Sequence, residues 1–507
     1  MKKSILENSL VTHPVNLIEQ EDRYDDGIFR IGRKHGFLPQ RSPLARLPAP
    51  FECIQALLDE LPIIADAKTG RPGVLGTPGL IAARVESLPN RASAIATIVE
   101  TMGGQPKAHR DEARLIQALF RGYSFLASAY LLEPAHHGTL GGGHYGKARN
   151  TLPVVLAEPL AIAADALGVA PWLDYHHAYS LGNFVHRDST LHGEDLWHWR
   201  NLDMACRFSG AADEIGFIML HVQINQHTPA LLGAFQDVLR DARLDSTAEN
   251  PAGPWQRLLR ALEHINRSRR EMWRASRPER YNDFRVFIMG ITGNESLFGP
   301  GVVYEGVEKF TGKPMQFRGQ TGAQDDIIPA CDILLGIDDT YPSNDLTDYL
   351  KDLRTYRPPV IRDWFIDVRR DREAAKLDSF IANEPGVALI AAACVEQVTL
   401  FRVGHWQFVQ KYILAHTRHA IATGGTPITS WLPNQIDACF ARMSQLLTYA
   451  HPSKLSGFER RWHDNMSSRL AERQRILAEQ RALLENPAFD PQEIYARNIG
   501  HEDVAAN

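Results

Sequence analysis

A chain of 507 residues with 44% hydrophobic and 23% charged side chains has the make-up of a globular protein with ample core. That length suffices for roughly three average domains, or fewer large helical ones. A formal charge of -5 supplies no dominant basic face, so nucleic acid is not an expected partner. No eighteen consecutive apolar residues occur, so no membrane span or membrane partner is expected.

The first residues, Met1-Lys2-Lys3-Ser4-Ile5-Leu6-Glu7-Asn8, lack the continuous apolar stretch of a secretory leader. Five scattered cysteines (Cys53, Cys206, Cys331, Cys394, Cys439) form no C-x-x-C pair, which argues against a disulfide scaffold, a zinc ribbon, an iron–sulfur cluster and a covalently attached haem. Reduced thiols and a cytoplasmic location are the expectation. Residues 1–50, rich in proline and charge, are expected to wrap the surface.

Apolar residues three and four apart predict helices over residues 114–132, 152–167, 213–239, 254–274 and 344–356. The last is capped by Ser343 or Asn344 and stopped by Pro358-Pro359. Between the first two lies a loop with Gly138, Gly141, Gly142, Gly143 and Gly146 beside His136, His137 and His144. It reads as a glycine loop, not a metal site, because nothing there fixes ligand geometry. Glu194 with His192 and His198 mimics a metal cluster but lacks a fourth ligand, and solvated loop residues are expected. Strand-like alternation is scarce, and residues 285–289 are too few to type by period.

Residues 301–306 and 317–326 form a glycine–hydroxyl loop that runs into an apolar helix at 327–337. Such a loop suits close approach of backbone to a ligand. A phosphate loop is not indicated, since no G-x-x-x-x-G-K-[ST] occurs. Over residues 394–413, Val398, Phe401, His405, Phe408, Val409 and Tyr412 share one helical stripe, which turns the His405 imidazole inward with Arg402 one turn before it. Two readings stay open there: a core histidine bonded to a backbone carbonyl, or an axial ligand. Residues 458–484 form a polar helix with Phe458, Trp462, Met466 and Leu470 four apart.

Several of these segments resemble the indoleamine 2,3-dioxygenase family. They are Val303-Tyr304-Glu305-Gly306, Gly319-Gln320-Thr321-Gly322-Ala323-Gln324, Asp332-Ile333-Leu334-Leu335-Gly336-Ile337, Leu350 through Pro359, His405 through Ile413 and Ala422-Thr423-Gly424-Gly425-Thr426, with weaker similarity at Asn150–Pro153 and Ala170–Tyr175. The resemblance implies an all-α fold, with a small N-terminal domain (1–205, including an extended arm) capping a larger one (206–507, with a helical tail). It implies non-covalent haem b, ferrous for activity, ligated through its iron by His405. Arg402 would pair with a propionate, Asp332 would support haem retention, and Gly319, Gln320 and Thr321 would touch the cofactor or substrate. Arg285 would bind the substrate carboxylate, Thr423 its ammonium or a propionate, while Tyr175, Phe217 and Tyr281 would line an indole slot. Dioxygen would add across the indole C2–C3 bond, and L-tryptophan would give N-formylkynurenine, the opening step of kynurenine-type tryptophan catabolism.

The chain departs from the family pattern at three places. His221 stands where the animal enzymes have serine, resembling tryptophan 2,3-dioxygenase, in which a histidine meets the indole N–H; the other reading is a core histidine bonded to the helix backbone. Arg280-Tyr281 replaces a phenylalanine pair, and Asp325-Asp326 replaces a serine pair, at the pocket or on the outer face. These changes leave room for a specialised reaction, such as the rearrangement of a substituted tryptophan on the way to pyrrolnitrin. A third reading is a haem- or oxygen-binding sensor without turnover. The reductant and the choice between monomer and homo-oligomer are left open.

Overall fold

The periodic segments do wind into helices, and the way they pack follows from which of their faces are apolar. The computed structural model describes residues 16–138, 144–244, 250–417, 419 and 421–494. Seven helices matter for the site, labelled in chain order: α1 Arg110–His137, α2 Ala212–Asn225, α3 Thr228–Arg243, α4 Ala252–Arg270, α5 Pro385–Phe408, α6 Ile428–Tyr449 and α7 Gly457–Leu484. At the centre lies α5, packed between α4 and α6. Its first half carries Ala388, Ala391, Ala392 and Ala393, all buried, and side chains this small let neighbouring axes come close. In turn α4 packs on α2 and α3, while α7 covers α5 and α6. The all-α expectation holds: among the described residues the strands are three two-stranded fragments. One of them joins distant motifs, pairing Thr151–Leu152 in parallel with Val303–Tyr304.

Several boundaries differ from the sequence reading. The helix expected over 213–239 is two, α2 and α3, because Pro229 cannot continue a helix that began upstream and instead opens a new one. The Thr228 hydroxyl donates to the Asn225 carbonyl at 2.7 Å across the joint. Residues 282–288 form a helical turn, Asn282–Arg285, followed by a tighter turn, Val286–Ile288. Asn344 does cap its helix, accepting from the Thr347 amide at 3.0 Å.

The expectation that residues 1–50 wrap the surface is corrected for the described part. Ile18, Tyr24, Phe29, Ile31 and Phe37 are fully buried, so this segment belongs to the core. It is tied to the helix Pro359–Ala374: the Tyr24 hydroxyl donates to Asp367 at 2.8 Å and the Ile18 amide to Asp371 at 3.0 Å. Of the glycine loop, residues 139–143 lie outside the described residues. His136 and His137 end α1, and His137 Nε2 bonds the Leu75 carbonyl at 3.0 Å.

Two helices, α1 and the Pro385–Leu414 stretch containing α5, are long and apolar enough to cross a membrane by length and composition. Yet 89% and 72% of their most apolar windows are buried inside the protein, so these surfaces are spent on the core.

Candidate functional site

The last turn of α5 carries His405, and immediately after it residues Val409–Leu414 wind as a π-helix. The extra residue in that turn is a deviation often found at functional sites. Phe401, His405, Phe408, Val409 and Tyr412 all face one cavity, as their common stripe predicts. A second, smaller cavity adjoins it, and Phe401, His405 and Trp431 line both. No hydrogen bond joins the His405 ring to any described residue, which rules out the carbonyl-bonded core histidine. Burial, helped by His221, Arg269 and Arg402, pushes its pKa down to about 4. The imidazole is therefore neutral near pH 7, with a lone pair aimed at open space.

From α2 comes His221, whose Nδ1 lies 3.0 Å from the Phe217 carbonyl one turn back. Donation from Nδ1–H fixes the tautomer and leaves Nε2 as an acceptor. That nitrogen faces Gly322, where an added methyl would sit 3.6 Å away. Burial pushes the His221 pKa down, against the pull of Asp325. Phe217 adds an aromatic wall, with ring centroids 4.8 Å from Tyr281 and 5.8 Å from Tyr412. Only Tyr281 of the Arg280-Tyr281 pair faces the cavity; Arg280 points outward and pairs with Asp283 at 2.7 Å.

Asp325 and Asp326 are both buried, which settles their position. Asp325 lines the cavity wall and accepts from the Tyr175 hydroxyl at 2.7 Å and from Asn225 Nδ2 at 2.8 Å. Asp326 sits behind it between His176 (2.8 Å) and Arg357 (2.6 Å), all three fully buried. Burial alone would raise the Asp326 pKa, but His176 and Arg357 overcome it and hold the carboxyl below its usual range. Tyr175 is corrected accordingly: it does not line the cavity but stands behind His221, at a ring separation of 6.0 Å, and anchors Asp325.

Other expected contacts also change. The Arg402 guanidinium already pairs with Asp332 at 2.8 Å, with Cys439 and with the Tyr341 hydroxyl, while its Nε has no hydrogen-bond partner among the described residues. Asp332 in turn accepts from Tyr341 and Arg354, each at 3.0 Å, and Asp332 and Arg402 line the second cavity. Gly319 is not at the cavity surface either. A methyl there would lie 2.1 Å from the Gly290 amide nitrogen and 2.4 Å from the Thr423 carbonyl oxygen, so this glycine permits backbone-to-backbone packing. Gln320, Thr321 and Thr423 do line the cavity, and Thr321 caps the short turn Gly322–Gln324. Arg285 is fully buried, donating from Nη2 to the Ile421 carbonyl at 2.7 Å and the His419 carbonyl at 3.3 Å. Its Nε and Nη1 have no hydrogen-bond partner among the described residues.

Comparison with known proteins accounts for this arrangement. The sequence profile described as "Indoleamine 2,3-dioxygenase" matches residues 26–435. The chain belongs to the indoleamine 2,3-dioxygenase family. Membership makes it an oxidoreductase of the dioxygenase class. It is 26% identical to the indoleamine 2,3-dioxygenase of Saccharomyces cerevisiae over 399 residues, 76% of this chain and 79% of the yeast protein. It is also 26% identical to indoleamine 2,3-dioxygenase nanC of Aspergillus nanangensis over 431 residues, 80% and 93% of the two chains. Over a shorter span of 188 residues, 36% of this chain and 47% of the relative, it is 30% identical to a myoglobin of the abalone Haliotis madaka.

Among the cavity residues of this family member that escaped the sequence reading, one is charged. Arg269, at the end of α4, is buried and lines the cavity, with its guanidinium 5.6 Å from the Phe408 ring centroid. It lies against the backbone just before His405: a methyl on Gly404 would come within 1.6 Å of Arg269 Nη1. The signal was present in Gly404 itself, since a glycine inside a helix costs about 1 kcal/mol and is kept where something must approach closely. The Glu194 cluster is also rearranged: His198 pairs with Glu271 at 3.4 Å, not with Glu194.

Proposed function

We propose that this protein is a haem-dependent dioxygenase that opens the pyrrole ring of L-tryptophan or a closely related indoleamine. The observation that carries the reading is His405, a neutral imidazole without a protein partner where two cavities meet. That is the state an iron ligand requires, and the aromatic and aliphatic walls suit a flat macrocycle. The residues fit haem b, with His405 holding the iron. When bound in its ferrous form, haem supplies the activation of dioxygen, and both oxygen atoms are retained in an N-formylkynurenine-type product.

The chain's own groups then handle the substrate. Phe217 and Tyr281 offer flat faces to an indole. His221 Nε2 accepts from the indole N–H, in the tautomer that the Phe217 carbonyl imposes. Arg285 holds the carboxylate: two of its buried N–H positions lack a partner, and a guanidinium left that way is poised for an anion. Arg285 is not in the cavity lining, so substrate binding would be coupled to a rearrangement around it. Thr423 and Thr321 supply hydroxyls at the rim, for the ammonium group. Four of the five free thiols are buried, and all five suit a reducing cytoplasm.

The test is an anaerobic spectrum of the hemin-loaded, reduced protein, followed by oxygen, L-tryptophan and mass spectrometry. N-formylkynurenine carrying two atoms from labelled dioxygen is expected. A full haem spectrum without that product would point to the rearrangement of a substituted indole, which the cavity-lining Asp325 favours. Failure to take up haem would defeat both.

A further inference from the structure

The elements that wall the cavity also meet on the outside of the molecule, and three metal-ligating side chains converge there. Glu194 comes from the short helix Gly193–Trp197, His227 from the joint between α2 and α3, and His264 from α4. One ligand atom from each lies within 4.8 Å of the others. We propose that Glu194, His227 and His264 bind a divalent transition-metal ion, zinc or its like, at a site separate from the haem cavity.

Ligand identity is the first support. Two imidazoles and one carboxylate, with the remaining positions open to water, form a set characteristic of zinc and its neighbours. Geometry is the second. Ligand atoms held tetrahedrally at about 2.1 Å from an ion lie about 3.4 Å apart, so closing from 4.8 Å asks for small side-chain rotations only. The Glu194 carboxylate and the His264 ring have no hydrogen bond or ion pair among the described residues, so nothing opposes that closure.

Orientation is the third. His227 Nε2 is held by the Ser268 hydroxyl at 2.8 Å, one helical turn beyond His264, which leaves Nδ1 as the free nitrogen. An outer hydrogen bond of this kind fixes the ring of a metal ligand. Access is the fourth: the residues line a groove open to solvent. Arg33 and Arg257 border it, but both pair with Asp237, which offsets their charge against an incoming cation. Arg260, in the same groove, suits an anion in one of the open positions.

Location gives the site a consequence. His227 follows the helix that bears His221, and His264 shares a helix with Arg269, so a bound ion would brace two walls of the cavity from outside. None of the three ligands lines the haem cavity, so the test is independent of the dioxygenase reading. Haem-loaded full-length protein would be equilibrated with zinc chloride, dialysed, and analysed for zinc and iron together.

About one zinc per chain is expected, with retention falling at least roughly tenfold in Glu194→Gln and in His264→Ala. A zinc-dependent rise in melting temperature should accompany binding and vanish in both variants. Glu194 is exposed, so its variant folds irrespective of any role for His227. Zinc absent from the parent protein, or retained equally by both variants, overturns the proposal.

Discussion

His405 lines the cavity whereas Arg285 is buried outside its lining, and their variants should differ in kind. His405→Ala removes the unpartnered imidazole, and the expected outcome is loss of stable hemin uptake, read as a collapsed Soret band, with the apoprotein still folded. Arg285→Ala should leave the haem spectrum intact but weaken tryptophan binding by about two to three powers of ten, read as the substrate-induced spectral shift. Equal tryptophan affinity in that variant would remove Arg285 from the substrate site. At this scale the sequence was informative wherever a side chain's role depends on helical phase. The stripe from Val398 to Tyr412 placed five groups in one cavity, and His221, one turn after Phe217, lines the same cavity. What it could not disclose were contacts made across the fold. Arg402 paired with Asp332 over a separation of 70 residues, Tyr175 anchored to Asp325 and Arg269 seated on Gly404 all depend on tertiary packing.

Among the elements, the loop 317–326 and the loop 422–426 are held together by glycine backbones, and this makes a sharp prediction. Gly319→Ala drives a methyl into two backbone atoms that cannot rotate away, so it should destabilise by about 3 kcal/mol, the upper end for overpacking. Gly404→Ala meets only the tip of a side chain and should cost less, while displacing Arg269; a urea titration of both separates them. Docking of α7 depends on Glu396, buried in α5, which accepts from Arg469 at 2.7 and 2.8 Å and from Arg473 at 2.7 Å. Burial would raise the Glu396 pKa, but these arginines overcome it and hold it below the ordinary 4.5. A depressed folded-state value means the stabilisation is complete above the unfolded pKa and is lost as pH falls through the folded one. Glu396→Gln should cost about 2 kcal/mol at pH 7 and progressively less as pH falls below the ordinary 4.5, measured by denaturation across that range. Helix existence was legible from periodicity. The break at Pro229 was missed because the apolar stripe runs on across it, and the stripe of α7 was half right: Met466 and Leu470 are buried, whereas Phe458 is 70% exposed.

For the molecule as a whole, the segment from Ile18 to Phe37 shows the limit of reading composition. Proline and charge made it look peripheral, yet its widely spaced Ile18, Tyr24, Phe29, Ile31 and Phe37 fill space that no periodic element covers. Deleting residues 1–40 should therefore abolish cooperative unfolding and cause aggregation; a soluble truncated protein with an unchanged melting temperature would contradict this placement. The bond from Tyr24 to Asp367 spans 343 residues of chain. On a ribosome adding about 5–20 residues per second, the first aromatic residues would wait roughly 20–70 s for the helix that shelters them. Through that interval Phe29 and Phe37 stand uncovered, so nascent chains stalled before residue 359 should bind holding chaperones through their beginnings, and release should follow the emergence of Trp364 and Asp367.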